Sequence, residues 1–182
     1  PPLDQQPARA PRQGHPVKAR LAEVLGKRLG AERSGVPGTI AKGAAAISSW
    51  AARHGVSLVA HDSSGLSYEN RVAPGGMVRL LGVAEDAPWG PTLRSSLAAA
   101  GEGTLRDRLN GVRLRAKTGT LDGISSLSGY IWLRRRDTWA EFSIISRGMS
   151  KSLASATVAT IGAITHGWAP VRRAASAIAS SC

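Results

Sequence analysis

Cysteine is nearly absent from this chain, since the single Cys182 is its last residue. One thiol cannot form a disulfide within the chain, and no Cys/His group has the spacing of a metal site. The sequence also lacks any apolar run of the roughly 20 residues that span a bilayer. The most apolar stretch, Ser152–Ala163, is short and broken by Ser and Thr. We therefore expect no metal site and no membrane span.

Aromatic and acidic side chains are also scarce. Aromatics make up 4% of the 182 residues, so we expect a core of small side chains. Only 12 acidic residues oppose 24 basic ones, and 19 of the basic residues are arginine. A net charge of +12 permits attraction to nucleic acid, anionic lipid or an acidic wall polymer, or it reflects solvated surface arginines. A nucleic-acid-binding protein is the weaker hypothesis, because no basic recognition helix, RNA-binding aromatic signature or zinc site is present.

The first residues differ in composition from the rest. Residues 1–16 hold five of the ten prolines, which is typical of an extended or disordered leader. The chain begins Pro-Pro rather than with Met, and no charged and then apolar signal peptide follows. We expect a processed chain or a fragment whose folded part begins near Val17.

Apolar spacing and helix-ending residues predict several elements before residue 112. Leu21, Val24, Leu25 and Leu29 recur at helical spacing, with Gly30 as a plausible stop. The other predicted elements are a helix Ile40–His54, a strand Val56–Ala60, a helix opening at Pro74 or Gly75, a helix Leu93–Ala100, and a short helix Leu105–Leu109 capped by Thr104.

The pattern then changes to three strands in succession. Val112–Thr118, Ser125–Leu133 and Trp139–Ile145 are rich in apolar or β-branched residues and are joined by short polar segments. They predict an antiparallel meander. Two alanine-rich segments, Lys151–Ala163 and Pro170–Ala179, are predicted to be helices packed on it. The fold class is therefore mixed α/β (α+β), an antiparallel sheet flanked by helices.

Ala116-Lys-Thr-Gly-Thr120 ends the first strand of this meander. Lys-Thr-Gly is one of three elements of penicillin-binding proteins and serine β-lactamases, beside Ser-x-x-Lys and a Ser-x-Asn element. In such a motif Lys117 would place a positive charge beside a substrate carboxylate, and the Thr118 hydroxyl could hydrogen-bond that carboxylate. Gly119 has no Cβ, so a peptide can lie along the strand edge and be held by β-augmentation. Alone, the tripeptide also fits an ordinary turn.

Three segments together resemble one family. They are Asp62-Ser-Ser-Gly-Leu-Ser67 with Asn70-Arg-Val72, Gly103-Thr-Leu-Arg106, and Ala116-Lys-Thr-Gly-Thr120 with Gly123 and Leu127-Ser-Gly-Tyr130. In order and spacing, roughly residues 55–147 resemble the low-molecular-mass, class C penicillin-binding D-Ala-D-Ala carboxypeptidases and endopeptidases.

The resemblance implies that residues 17–182 are the C-terminal part of a β-lactamase/transpeptidase-like domain. It implies a serine-type carboxypeptidase that acts outside the cytoplasm on peptidoglycan stem peptides ending in D-Ala-D-Ala and is acylated by β-lactams. No cofactor is implied. Lys117 would support catalysis by charge and proton transfer, Thr118 and Thr120 would bind substrate, and Gly119 would keep the edge open. Whether carboxypeptidase or endopeptidase activity is the main one stays open.

Two elements of that family are absent from the sequence. No lysine has a serine three residues before it, so Ser-x-x-Lys is missing. Leu21-Ala-Glu23 resembles the segment that follows Ser-x-Asn, but Val17-Lys-Ala19 stands in its place. We therefore hypothesise a truncated or frame-disrupted product that lacks the nucleophile. The alternative is a non-catalytic peptidoglycan-binding remnant.

Asp62 and Ser64 have two interpretations. Ser and Gly supply turn geometry, and Asp62 can accept backbone N–H bonds, which makes the segment structural. The second interpretation is direct support of substrate binding. Tyr68-Glu-Asn70 matches the Tyr-x-Asn element of some β-lactamases only superficially, because it lies inside a segment already explained.

Overall fold

The computed structural model describes residues 16–107 and 109–148. The predicted leader, apart from Pro16, and both alanine-rich helices lie outside these ranges. The elements in chain order are helices α1 (Pro16–Ser34) and α2 (Ile40–Arg53), strands β1 (Leu58–Val59) and β2 (Arg71–Val72), helices α3 (Pro74–Glu85) and α4 (Gly90–Ser96), strand β3 (Ala98–Ala99), a 3₁₀ turn (Gly103–Leu105), and strands β4 (Leu114–Leu121), β5 (Ile124–Leu133) and β6 (Thr138–Arg147).

The predicted meander is confirmed as the centre of the fold. Strands β3, β4, β5 and β6 form one antiparallel sheet in that order. Its register pairs Ala116 with Gly129 and Gly129 with Phe142, so these residues lie in one row across the sheet. The apolar residues of this face and two leucines from the segment between β3 and β4 form the main core, namely Leu114, Ala116, Leu127, Ile131, Phe142 and Ile144 of the sheet with Leu105 and Leu109. Burial of each large member stabilises the fold by about 1.5–3 kcal/mol, which fixes the register.

The opposite face of the sheet packs on α3 and α4. The Tyr130 side chain is completely buried, and its hydroxyl donates to the Leu81 carbonyl of α3 at 3.0 Å. Arg94 of α4 pairs with Glu85 and lies over the Trp139 ring at 5.3 Å. A second small core of Ala51, Val56 and Leu80 joins α2 to α3. Helices α3 and α4 thus cover this face of the sheet.

The prediction that α1 stops at Gly30 is wrong. The helix continues to Ser34, and Gly35 follows it with φ +78°, the left-handed conformation typical of a helix end. Gly30 instead lies against α2, where a Cβ would come within 2.6 Å of the Gly43 nitrogen. The glycine is needed for close helix packing, a role that its position in the sequence does not distinguish from a stop.

Two further predictions near β4 are wrong. The predicted helix Leu93–Ala100 ends at Ser96, because Ala98 and Ala99 pair with β4 as strand β3. Among the described residues of the predicted helix Leu105–Leu109, only Leu105 is helical, as the last residue of the 3₁₀ turn, and Thr104 lies inside that turn rather than capping a helix. Tertiary pairing with β4 overrides the helical propensity of the alanines here.

Helix α1 has an unusual distribution of side chains. Its buried residues are Gly26 and Gly30, which face α2 and the loop at Ser63. Three of its large apolar residues point outward instead, with Leu21, Val24 and Leu25 each about 60% exposed, and Leu29 is half-buried. Backbone proximity, rather than apolar burial, therefore attaches α1 to α2. No helix in the described part of the chain is both long and apolar enough to cross a membrane.

Candidate functional site

One border of strand β4 is open over most of its length. Strand β3 pairs only with Arg115 and Ala116, whereas β5 pairs with all of β4. Among the described residues, no strand therefore lies beside residues 117–121 on the side away from β5. We call this side of residues 117–121 the open edge. Of the predicted pentapeptide 116–120, residues 117–120 lie on the open edge, whereas Ala116 pairs with β3 and is 1% exposed.

Strand alternation identifies the backbone groups that face the open edge. The Trp132 N–H donates to the Arg113 carbonyl at 2.9 Å, so Arg113 turns its polar groups toward β5. In antiparallel pairing every second residue does the same, which includes Lys117 and Gly119. The N–H and C=O groups of Thr118 and Thr120 therefore point to the open edge. The Thr118 carbonyl accepts from Lys117 Nζ with one of its two lone pairs. Its second lone pair and the other outward groups can hydrogen-bond an added extended peptide.

Lys117 lies at the start of the open edge. Its Nζ donates to the Thr118 carbonyl, and no carboxylate among the described residues forms an ion pair with it. Partial burial lowers the pKa of Lys117, and the positive charge of Lys18 on α1 lowers it further. The site thus holds an ammonium group whose positive charge no described carboxylate balances, which favours an anionic ligand.

Thr118 is held by a contact from another element. Its hydroxyl donates to Thr104 Oγ1 of the 3₁₀ turn at 2.9 Å. Gly119 pairs with Ser126, and a Cβ at Gly119 would come within 2.3 Å of the Ser126 hydroxyl. The absence of a Cβ at Gly119 therefore leaves room for the Ser126 side chain on the neighbouring strand. Thr120 is exposed.

Asp62 organises the loop that follows β1. Its carboxylate accepts from the backbone N–H groups of residues 65, 66 and 67 at 2.7–3.0 Å. It also accepts from the Ser64 hydroxyl at 2.9 Å and from Asn70 Nδ2 at 2.7 Å. Partial burial acts to raise the pKa of Asp62, but these hydrogen bonds together lower it. These contacts give Asp62 and Ser64 a structural role, and a direct substrate contact stays a prediction.

The same loop is fastened to the neighbouring elements at two points. Glu23 Oε1 of α1 accepts from the backbone N–H groups of Ser63 and Ser64 at 3.1 and 3.0 Å. Tyr68 accepts from the Asp122 N–H at 3.1 Å, at the turn that ends the open edge. Tyr68 thus contacts the β4–β5 turn, which gives it a structural use in place of the Tyr-x-Asn interpretation.

Replacing Asp62 with Asn should lower the free energy of unfolding at pH 7 by about 1–2 kcal/mol. Both carboxylate oxygens face donors, so the NH₂ group of the introduced amide meets an N–H whichever way that side chain is turned. Because the folded pKa of Asp62 lies below its ordinary value near 3.8, the stabilisation is full above about pH 5. It is lost as the pH falls through the lower folded value. Urea unfolding of both proteins at pH 7 and pH 3 measures this.

Asp107→Asn, at an exposed carboxylate in the 100–110 segment, is the matched control and should leave unfolding unchanged. An Asp62→Asn protein as stable as the parent at pH 7 would contradict the role given to the carboxylate.

Comparison with known proteins identifies the family of this chain. The model of the D-Ala-D-Ala carboxypeptidase 3 (S13) family matches residues 18–166, more than half of the chain. The chain belongs to this S13 family. Over 142 residues it is 39% identical to the D-alanyl-D-alanine carboxypeptidase of Actinomadura sp. (strain R39). That alignment covers 71% of this chain and 26% of the relative, so the chain spans about a quarter of its length.

Solved structures confirm the predicted fold. Penicillin-binding protein 4 of Haemophilus influenzae, solved with a bound β-lactam, superposes with a TM-score of 0.63 at 23% identity. The match covers 80% of this chain and 37% of that one. A class A β-lactamase from Bacteroides cellulosilyticus superposes with a TM-score of 0.50 at 20% identity, covering 68% and 53%. The S13 chain therefore has part of the β-lactamase/transpeptidase-like fold.

Two residues near the open edge were not predicted as site residues. Lys18 occupies the place in the S13 chain where Ser-x-Asn was sought, and the structure brings its charge near Lys117. Thr104 belongs to the Gly103-Thr-Leu segment, but sequence reasoning gave its hydroxyl to a helix cap. Neither proximity has a local sequence signal, since both depend on how distant segments pack. In the described part of the chain, no group of three or more His, Cys, Asp or Glu residues is placed to hold a metal ion.

Proposed function

We propose that this chain provides the substrate-binding strand of a serine-type D-Ala-D-Ala carboxypeptidase that acts on peptidoglycan stem peptides outside the cytoplasm. The observation that carries this is the open edge, with Lys117 at its start and the backbone groups of Thr118 and Thr120 facing outward. Membership of the S13 family supports the substrate class. The bound β-lactam of the structural relative supports a shared ligand chemistry.

The stem peptide would bind as an additional strand. Its backbone would exchange hydrogen bonds with the outward N–H and C=O groups of Thr118 and Thr120. The terminal carboxylate would lie between the Lys117 ammonium and the Thr118 hydroxyl, both of which can donate to it. An exposed N–H at this edge is also a suitable donor to the oxyanion of an acyl-transfer step.

The covalent step of the carboxypeptidase needs a serine beside a base. That serine would attack the penultimate D-Ala carbonyl, and the terminal D-Ala would leave. Water would then hydrolyse the acyl-enzyme. None of the five lysines here has a serine three residues before it. We therefore propose that the 182 residues bind the peptide tail without forming the acyl-enzyme.

Titration calorimetry tests this with Nα,Nε-diacetyl-Lys-D-Ala-D-Ala as the ligand and its L-Ala-L-Ala isomer as the control. The D,D peptide should bind saturably and the L,L peptide at least tenfold more weakly. A fluorescent penicillin should leave no covalent band on the denatured chain. Equal affinity for the two peptides, or no binding of either, would refute the peptide-binding function. A labelled serine among these residues would refute the non-acylating form.

A further inference from the structure

We propose that Thr104 is a positioning residue that orients the Thr118 hydroxyl toward the terminal carboxylate of the peptide. This inference rests on the proposed function, in which Thr118 donates to that carboxylate. The observation is the 2.9 Å contact between Thr104 Oγ1 and Thr118 Oγ1, which joins the 3₁₀ turn to the open edge.

The role of Thr104 follows from the fact that each of the two hydroxyls has a single proton to donate. Each hydroxyl has one proton to donate and two lone pairs to accept with. While Thr118 donates to Thr104, its proton is not available to a ligand. A carboxylate can only accept, so binding requires the pair to reverse. Thr104 then donates to Thr118 Oγ1, and Thr118 donates to the carboxylate.

When the direction of the hydrogen bond reverses, both threonine hydroxyls still have hydrogen-bond partners. Thr104 is exposed, so water can occupy its own lone pairs once it has become a donor. Donation by Thr104 also polarises the Thr118 O–H bond, and hydrogen bonds in such a chain strengthen one another. Thr118 is thereby a better donor to the carboxylate than an isolated threonine hydroxyl.

The position of Thr104 is fixed by the fold. The next residue, Leu105, is completely buried in the main core. The 3₁₀ turn is closed by hydrogen bonds from Leu105 N to the Glu102 carbonyl at 2.7 Å and from Gly101 N to the Leu105 carbonyl at 3.0 Å. Glu102 N in turn donates to Ala99 of β3, which pairs with β4. Thr104 is therefore fixed relative to β4, the strand that carries Thr118.

The experiment compares Thr104→Val, which keeps the shape but removes the hydroxyl, with Thr104→Ser, which keeps the hydroxyl. Thr138→Val makes the same chemical change at an exposed threonine that starts β6. Binding of diacetyl-Lys-D-Ala-D-Ala is measured by calorimetry. The χ1 rotamer of Thr118 is measured without ligand from three-bond NMR couplings. Thr104→Val should weaken binding about fivefold to tenfold and average the rotamer. Thr104→Ser and Thr138→Val should bind within about twofold of the parent and keep one rotamer.

The outcomes separate this inference from the proposed function. If the parent chain does not bind the peptide, the proposed function fails, whereas a Thr118 rotamer that depends on Thr104 still supports the positioning contact. If the parent binds and Thr104→Val binds equally well, the inference is overturned and the proposed function stands. Thr104→Ser binding as weakly as Thr104→Val would also overturn it, because the hydroxyl would then not be the cause.

Discussion

Replacing Lys117 with Met should weaken binding of a D-Ala-D-Ala-ended peptide about tenfold to a hundredfold, and at pH 7 it should make the chain more stable. The loss of affinity follows because a charge-assisted hydrogen bond to the terminal carboxylate contributes about 1.5–3 kcal/mol. The gain in stability follows because partial burial and the Lys18 charge lower the pKa of Lys117, so folding disfavours its charged form despite its hydrogen bond to the Thr118 carbonyl. Calorimetric titration and urea unfolding measure the two effects.

The pH dependence of that stability has a definite sign. The pKa of Lys117 in the folded chain is lowered from 10.5, first by partial burial and then by the Lys18 charge. Between the folded value and 10.5 the unfolded chain binds more protons, so stability rises with pH. The destabilisation is complete below the folded value and disappears as the pH rises through 10.5. The difference between Lys117→Met and the parent should shrink in that alkaline window.

Lys42 is the matched control for this substitution. Its ammonium donates to the carbonyls of Gly35 and Pro37 at 2.6 and 3.0 Å, so it fastens the loop before α2. Lys42→Met should therefore lower stability and leave peptide affinity unchanged, the opposite of Lys117→Met. If both substitutions lower stability and neither changes affinity, Lys117 is a structural lysine and the role given to it is wrong.

Replacing Gly43 with Ala should lower the free energy of unfolding by about 1–3 kcal/mol. In an ordinary helix the same change stabilises by up to about 1 kcal/mol, because alanine has the higher helix propensity. Here a Cβ would come within 2.4 Å of the Gly26 carbonyl oxygen and 2.6 Å of its carbon. These are backbone atoms of α1, so the two helices must separate. Urea unfolding of the purified chain measures the change.

Gly75→Ala is the control for Gly43→Ala, because Gly75 lies in α3 with nothing within 4 Å of its ideal Cβ. It should leave stability unchanged or raise it slightly. A Gly43→Ala chain that is as stable as Gly75→Ala would contradict the close packing of α1 on α2. That packing matters for the site, because α1 holds Lys18 near Lys117 and Glu23 on the Asp62 loop.

Helix α2 and strands β5 and β6 were the most predictable elements, since each begins and ends within two residues of its predicted bounds. Helical spacing and runs of apolar and β-branched residues are local signals. Lys117, Thr118 and Gly119 could be proposed as site residues because three separate segments resemble one family in order, and their roles stay predictions. The failures share a cause. Ala98–Ala99 is a strand only because β4 lies beside it, and propensity cannot report a partner that is distant in sequence.

The contacts around the site could not be predicted for the same reason. The Thr104–Thr118 and Tyr68–Asp122 hydrogen bonds join residues 14 and 54 positions apart. A glycine that permits helix packing and one that ends a helix also look alike in sequence, as Gly30 and Gly35 show. The kinds of residue at the candidate site could therefore be predicted from the sequence. The hydrogen-bond and packing partners of each side chain could be identified only from the three-dimensional structure.

Residue-resolved NMR of the ¹⁵N-labelled chain, titrated with diacetyl-Lys-D-Ala-D-Ala, tests the open edge most directly. The amide signals of Thr118 and Thr120 should shift saturably and gain protection from hydrogen exchange, since their N–H groups would pair with the added strand. The signals of Lys117 and Gly119 should keep the protection that pairing with β5 already gives them. Saturable shifts that cluster elsewhere, with Thr118 and Thr120 unaffected, would contradict the account.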